Sequence, residues 1–170
     1  MADSLAQTIA GWFGSVSDPI ATLITFITSL FPILECRGGV IVARCFGLSP
    51  YVAVPVSIIG NLLPVPFIFL FIEKIFDMLK NTKFHKFIDK LEEKAMSKSE
   101  SITKYKRLGL LLFVGIPLPG TGAWTGALIA VLMKMKLKES IISIILGVFL
   151  AAAIMTTGLY LLPWLVANVF

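Results

Sequence analysis

Residues 108–133 read LGLLLFVGIPLPGTGAWTGALIAVLM, 26 residues without a charge. By length and hydropathy this is one membrane-spanning helix. Its middle argues otherwise. Pro117, Pro119, Gly120 and Gly122 fall within six residues. Pro119 removes a helix N–H and clashes with the turn before it, and each proline biases its predecessor away from the helical region. The flanks argue the same way. Lys104, Lys106 and Arg107 precede the stretch and Lys134, Lys136 and Lys138 follow it, and basic residues at membrane ends favour the cytoplasm. A through-going helix strands one cluster on the wrong side, whereas a hairpin that dips in and returns keeps both on one side. Arms of about nine to eleven residues reach roughly the midplane of a ~30 Å hydrocarbon core. The spacing therefore predicts a re-entrant helix–break–helix, with its broken backbone buried in protein or lining a cavity.

The rest of the chain fits a membrane. Of 170 residues, 57% are hydrophobic and only 15% charged, which predicts a single integral membrane domain, multi-pass, in a cell membrane. The net charge of +5 would suit nucleic acid, but its placement excludes that partner. Ten of the 15 Lys and Arg lie in residues 73–107 and three more are Lys134, Lys136 and Lys138. This is a positive-inside pattern, with lipid headgroups as the contact. Cys36 and Cys45 form no C-x-x-C or Cys/His cluster, so no metal site and no cofactor are expected, and the cysteines read as packing residues.

Residues 4–16, with Trp12 and Phe13, read as an interfacial helix or a leader. Asp18-Pro19 opens an apolar run as a cap and first-turn proline would. It breaks at Pro32 and the sequence E-C-R-G-G, then resumes to Phe46, the same grammar as residues 108–133. Residues 51–72 are 22 uncharged residues, long enough to span, kinked by Pro55, Gly60, Pro64 and Pro66, with Asn61 near the centre. Residues 73–107 carry apolar residues at three- and four-residue steps, predicting an amphipathic cytoplasmic helix, with Ser97–Ser101 as a loop. After the hairpin, Ser140–Phe170 is uncharged, with Gly147 and Ala151–Ala153 suited to close packing and Pro163-Trp164 at the far interface.

Shifting the chain by 87 residues lays Pro32 on Pro119, Gly39 on Gly126, Ala43 on Ala130 and Gly60 on Gly147. The expected fold is thus all-α: repeat 1 over about 18–72, a cytoplasmic linker over about 73–107, and repeat 2 over about 108–165. Each repeat is a re-entrant hairpin plus one transmembrane helix. The basic loops force opposite orientations, so this is an inverted repeat with both hairpin tips facing one site, a transporter plan. Four ordinary crossings are the alternative.

Glu35 and Arg37 stand at the first break. An ionisable group at membrane depth is a functional candidate, and a carboxyl there can carry a proton. Arg37 holds its charge and can grip phosphate or carboxylate; the plainer reading is a Glu–Arg pair sealing a bend. Arg44 reads as snorkelling at a membrane end. Gly38, Gly39, Asn61, Pro117, Pro119, Gly120, Thr121, Gly122 and Thr125 are the candidate tip and substrate-lining residues. The second tip is not a P-loop, since it has no G-K-[ST] and no strand before it.

E-C-R-G-G, G-N-L-L-P-V-P and G-I-P-L-P-G-T-G-A-W-T-G-A-L-I-A resemble the small multidrug export family of prokaryotic membrane proteins, over about residues 20–160. That family looks distantly related to the DedA/VTT superfamily. The resemblance implies paired re-entrant hairpins and, for DedA proteins, proton-coupled translocation of lipid carriers or phospholipids. Glu35 and P-L-P-G-T-G occupy the matching hairpins; the arginine of DedA-like second hairpins is missing here. The expected function is a small secondary transporter or lipid translocase, proton-coupled through Glu35, with membrane lipid, protons and an amphipathic or anionic substrate as partners. The alternative is a non-transporting, membrane-organising or homodimeric structural module built on the small-residue faces. No enzyme is expected, because Glu35 has no Ser–His or metal set beside it.

Overall fold

The computed structural model describes residues 17–80, 99–118, 120–133 and 135–169, and their regular structure is helical. The helices are α1 (Asp18–Leu30), α2 (Glu35–Cys45), α3 (Pro50–Leu62), α4 (Pro64–Lys80), α5 (Ser99–Gly115), α6 (Ala123–Leu132) and α7 (Leu137–Thr156). A π-helical stretch, Thr157–Leu161, then leads into α8 (Leu162–Val169). Residues 4–16, read above as an interfacial helix or leader, and residues 81–98, most of the expected linker, lie outside the described residues.

Among the described residues two stretches are long and apolar enough to cross a membrane, Pro50–Phe71 and Leu137–Asn168. In contrast α1, α2 and α6 have 13, 11 and 10 residues, which at ~1.5 Å per residue falls short of a ~30 Å core. The kink expected in the first long stretch falls at Leu63, before Pro64: the proline has no N–H to continue α3 and sits well at the first position of α4. Two expected boundaries are corrected. The helix does not stop at Ile72 but runs to Lys80, and Ser99–Ser101 is the start of α5 rather than a loop. Lys and Glu continue a helix readily once it leaves the membrane, and a serine is at home in a first turn.

The residues form two compact units. One holds α1, α2, α3 as far as Asn61, and the chain from Phe149 onward; the other runs from Leu62 to Val148. In the first unit, α1 and α2 lie against each other and against α3 through small residues. A Cβ on Gly39 would strike the Ser29 hydroxyl and come within 2.7 Å of the Ser57 hydroxyl, and one on Gly60 would sit 2.7 Å from the Phe26 carbonyl oxygen. Ala21, Ala43, Leu48 and Ala53 close the layer furthest from the break. Helices this close gain by van der Waals packing, the force available where lipid is as apolar as leucine.

In the second unit, a Cβ on Gly126 would lie 2.5 Å from a Val114 methyl, and one on Gly147 would lie 2.8 Å from the Leu111 carbonyl oxygen. The chain doubles back between α5 and α6. Arg107 Nε is 3.2 Å from a Glu139 carboxylate oxygen, whereas a straight helix over 108–133 would part these flanks by roughly 40 Å. The two basic flanks therefore stand together.

Several turns and glycine contacts recur at a fixed spacing in the two units. The α2 helix ends in a Schellman turn at Gly47 (φ 76°), with Leu48 N–H donating to Ala43 O. Eighty-seven residues on, Met135 N–H donates to Ala130 O; the pairs Phe46–Val42 and Met133–Ile129, and Ala53–Ser49 and Ser140–Lys136, repeat likewise. The chain leaves its unit at Asn61 and again at Val148, also 87 residues apart. Before the breaks the offset is 85, since Gly60 meets Phe26 and Ser29 where Gly147 meets Leu111 and Val114. The second break is two residues longer.

Candidate functional site

Hydroxyls on α1 back-bond to their own helix: Thr25 Oγ1 donates to Ala21 O and Ser29 Oγ to Thr25 O, both at 2.8 Å. The polar side chains thus lie on the helix's buried face with their protons already given, and Ser29 keeps its lone pairs for the neighbours. Opposite, Ser57 and Asn61 stand one turn apart on α3, both buried. The Ser57 hydroxyl and both atoms of the Asn61 amide make no hydrogen bond among the described residues. The Cys36 thiol stands beside Asn61 without hydrogen-bond geometry to it. Leaving such groups dry costs about 1–3 kcal/mol each.

Glu35 opens α2, four residues before the Gly39 that packs on Ser29 and Ser57. It is only 2% exposed, and its φ of 51° is the one positive value at a non-glycine position among the described residues. The break before it needs no glycine to turn: Pro32 ends the arm, and Glu35 N–H donates to Phe31 O at 2.9 Å. A left-handed residue with a Cβ costs roughly 1–2 kcal/mol. The corresponding residue of the second unit, 87 on, is Gly122, with φ 143°. One hairpin meets a strained position with glycine, the other with a buried glutamate.

The same contrast holds along the seam. Ser29 corresponds to Val114, Ser57 to Ile144 and Asn61 to Val148, and all six are buried. The second unit builds these contacts from apolar side chains. The polar set in the first unit is therefore not what the packing demands, and polar groups kept at a cost in a buried place mark a functional site.

Other expected site residues fall out differently. Gly38 and Gly39 are not at the hairpin tip but inside α2, buried. A Cβ on Gly38 would lie 2.6 Å from that of Leu34, so this pair serves close packing. Arg37 is half-buried on the same helix. Pro117, Gly120, Thr121 and Gly122 lie in the turn between α5 and α6; Pro119 lies outside the described residues. Thr121 Oγ1 donates to Ile116 O at 3.0 Å and Leu118 O at 2.9 Å, reinforcing turn carbonyls that also accept the Leu118 and Thr121 N–H groups. Its first duty is to hold the turn. Thr121→Val is expected to lower thermal stability by about 1 kcal/mol through these bonds, read by heating the detergent-solubilised chain. Thr125 is half-buried on α6. Sequence reasoning missed Ser29, Ser57 and Cys36; the available signal was the i, i+4 spacing of Ser57 with Asn61.

The backbone at Glu35 gives a prediction of sign. At an ordinary helical position alanine is more stable than glycine by about 1 kcal/mol. At position 35 the order inverts, and Glu35→Gly is expected to exceed Glu35→Ala by about 1 kcal/mol. Thermal unfolding of the two variants decides it; an alanine variant as stable as the glycine variant would remove the strain argument.

A family model described as "Putative small multi-drug export protein" matches residues 35–154, from Glu35 across the first long apolar stretch and into the second. No curated protein and no solved structure matches the chain.

Proposed function

The chain belongs to the small multi-drug export family, and we propose that this membrane protein is a secondary transporter or lipid translocase, coupled to protons through Glu35. The observation that carries the reading is the polar seam of Glu35, Ser29, Ser57 and Asn61, set where the second unit is glycine and aliphatic. A buried carboxyl on the helix that packs against those hydroxyls can accept a proton, pass it on and exchange hydrogen bonds with a polar substrate group. Arg37, on the same helix, supplies a charge for an anionic group. The kinship to DedA proteins, with lipid as substrate, belongs to this proposal.

The two hairpins are re-entrant and the units form an inverted repeat in this reading. The 87-residue correspondence of turns and glycine contacts supports the duplication. The adjacency of Arg107 and Glu139 supports basic flanks on one side. Tyr160 Oη donates to Leu48 O at 3.1 Å, which brings the turn after α2 level with the π-helical stretch Thr157–Leu161. Single cysteines at Ser49, Ser99 and Lys136, in a chain lacking Cys36 and Cys45, test this. An impermeant maleimide added outside is expected to label Ser49 alone; labelling at Lys136 but not at Ser99 overturns the topology.

The homodimer alternative was motivated by a small-residue stripe. Gly147, Ala151 and Ala152 are buried within the chain, so that stripe is largely occupied. For coupling, the full chain is reconstituted in vesicles and loaded with candidate substrates under an imposed pH gradient. Gradient-driven uptake or flipping is expected to vanish in Glu35→Gln. Transport that ignores both the substitution and the gradient removes the proton role.

A further inference from the structure

A groove of about 1280 Å³ runs along the first unit between α3 and the C-terminal helical stretch. Its floor is apolar. Thr156 and Thr157 line it, but their hydroxyls donate to Ala152 O (2.7 Å) and Ala153 O (2.9 Å) of their own helix, leaving the wall to methyl groups. Small residues at Ala152 and Ala153 make the hollow. The π-helical stretch Thr157–Leu161 adds one residue to the turn there and directs Tyr160 at the rim.

One charged residue lines the groove, Arg44. Its guanidinium lies 5.1 Å from the centre of the Tyr160 ring, and the Tyr160 hydroxyl is fixed on Leu48 O. Arg44 has no ion pair among the described residues. Tyr51 and Trp164, both exposed, line the groove as well, and such aromatics are at home at headgroup level. Around them Phe149 and Leu161 are exposed, so the groove opens on a surface that suits acyl chains.

We propose that this groove is a binding site for an anionic phospholipid of the surrounding bilayer, with its phosphate on Arg44 and an acyl chain along the floor. The charge complementarity selects the headgroup: a guanidinium stacked on a ring, with no ion pair among the described residues, offers planar N–H donors to phosphate oxygens. The length of apolar wall selects a lipid over a free phosphate. The site is separate from the seam at Glu35 and does not depend on transport.

The test uses the full chain carrying Trp12→Phe and Trp124→Phe, so that Trp164 is the sole tryptophan. It is placed in phosphatidylcholine vesicles containing either brominated phosphatidylglycerol or brominated phosphatidylcholine at equal mole fraction. The brominated anionic lipid is expected to occupy the site about fivefold more readily, the scale of one basic residue at an anionic surface, and to quench Trp164 correspondingly. Arg44→Gln is expected to abolish the preference while leaving quenching by the zwitterionic lipid in place; Arg44→Lys keeps part of it. Ala153→Phe, which fills the floor, is expected to lower quenching by both lipids. Native mass spectrometry of the unaltered chain gives a second reading, with phosphatidylglycerol retained over phosphatidylcholine. Equal quenching by both lipids in the parent, or a preference that survives Arg44→Gln, overturns the proposal.

Discussion

Gly60→Ala and Gly147→Ala are each expected to destabilise the protein by about 2–3 kcal/mol, the upper part of the range for forcing atoms into a packed contact. The reason is what the new methyl meets. At Gly60 it lies 2.7 Å from the Phe26 carbonyl oxygen and 2.9 Å from Ser29 Cβ; at Gly147 it lies 2.8 Å from the Leu111 carbonyl oxygen and 2.7 Å from Val114 Cβ. These are backbone and first side-chain atoms, which cannot swing aside as a lysine tip can. The helices must separate, and close approach is what holds them where lipid offers no hydrophobic drive. Gly109→Ala is the control. Nothing lies within 4 Å of its methyl, so helix propensity governs and stability is expected to rise by up to about 1 kcal/mol. Thermal unfolding in detergent ranks the three. If Gly147→Ala behaves like Gly109→Ala while Gly60→Ala does not, the two units are not built on one plan.

That pairing shows how far the sequence could be read. The 87-residue shift was visible in Gly39/Gly126, Ala43/Ala130 and Gly60/Gly147 because close crossings admit only the smallest residues, and small residues stand out in an apolar chain. The hairpin at 108–133 was visible because proline and glycine interrupt it and because charge marks its ends. What stayed hidden depends on three-dimensional neighbours. Ser29 and Ser57 look like ordinary small residues until Gly39 brings their hydroxyls together. The Gly38–Gly39 pair read as a break, but a glycine pair serves a close crossing as well as a turn, and Pro32 already supplied the break. The groove at Arg44 also escaped notice, since its walls lie about 100 residues apart in the chain and the π-helical stretch has no clear sequence signature. The strained φ of Glu35 could not be read at all: glutamate gives no hint of a left-handed conformation.

Replacing the seam by its counterparts separates fold from function most sharply. Asn61→Val puts into the first unit the residue that the second unit carries at Val148, and Ser57→Ile does the same for Ile144. In the second unit both are fully buried and well accommodated. Asn61→Val also removes an amide whose two polar atoms make no hydrogen bond among the described residues and puts a branched apolar side chain in its place. Substituting an apolar group of similar shape for a dry polar one is neutral or stabilising, by up to about 1–3 kcal/mol. Thermal stability of Asn61→Val is therefore expected to equal or exceed that of the parent. Ser57→Ile adds volume beside Gly39 and is expected to gain less. If the seam carries substrate or protons, gradient-driven transport by Asn61→Val is expected to fall to the level of empty vesicles even so. A variant less stable than the parent would show that Asn61 is held by structure, and a variant that is stable and still transports would place the pathway elsewhere. Only the combination of a sturdier protein and a silent one fits a buried polar seam maintained for its chemistry.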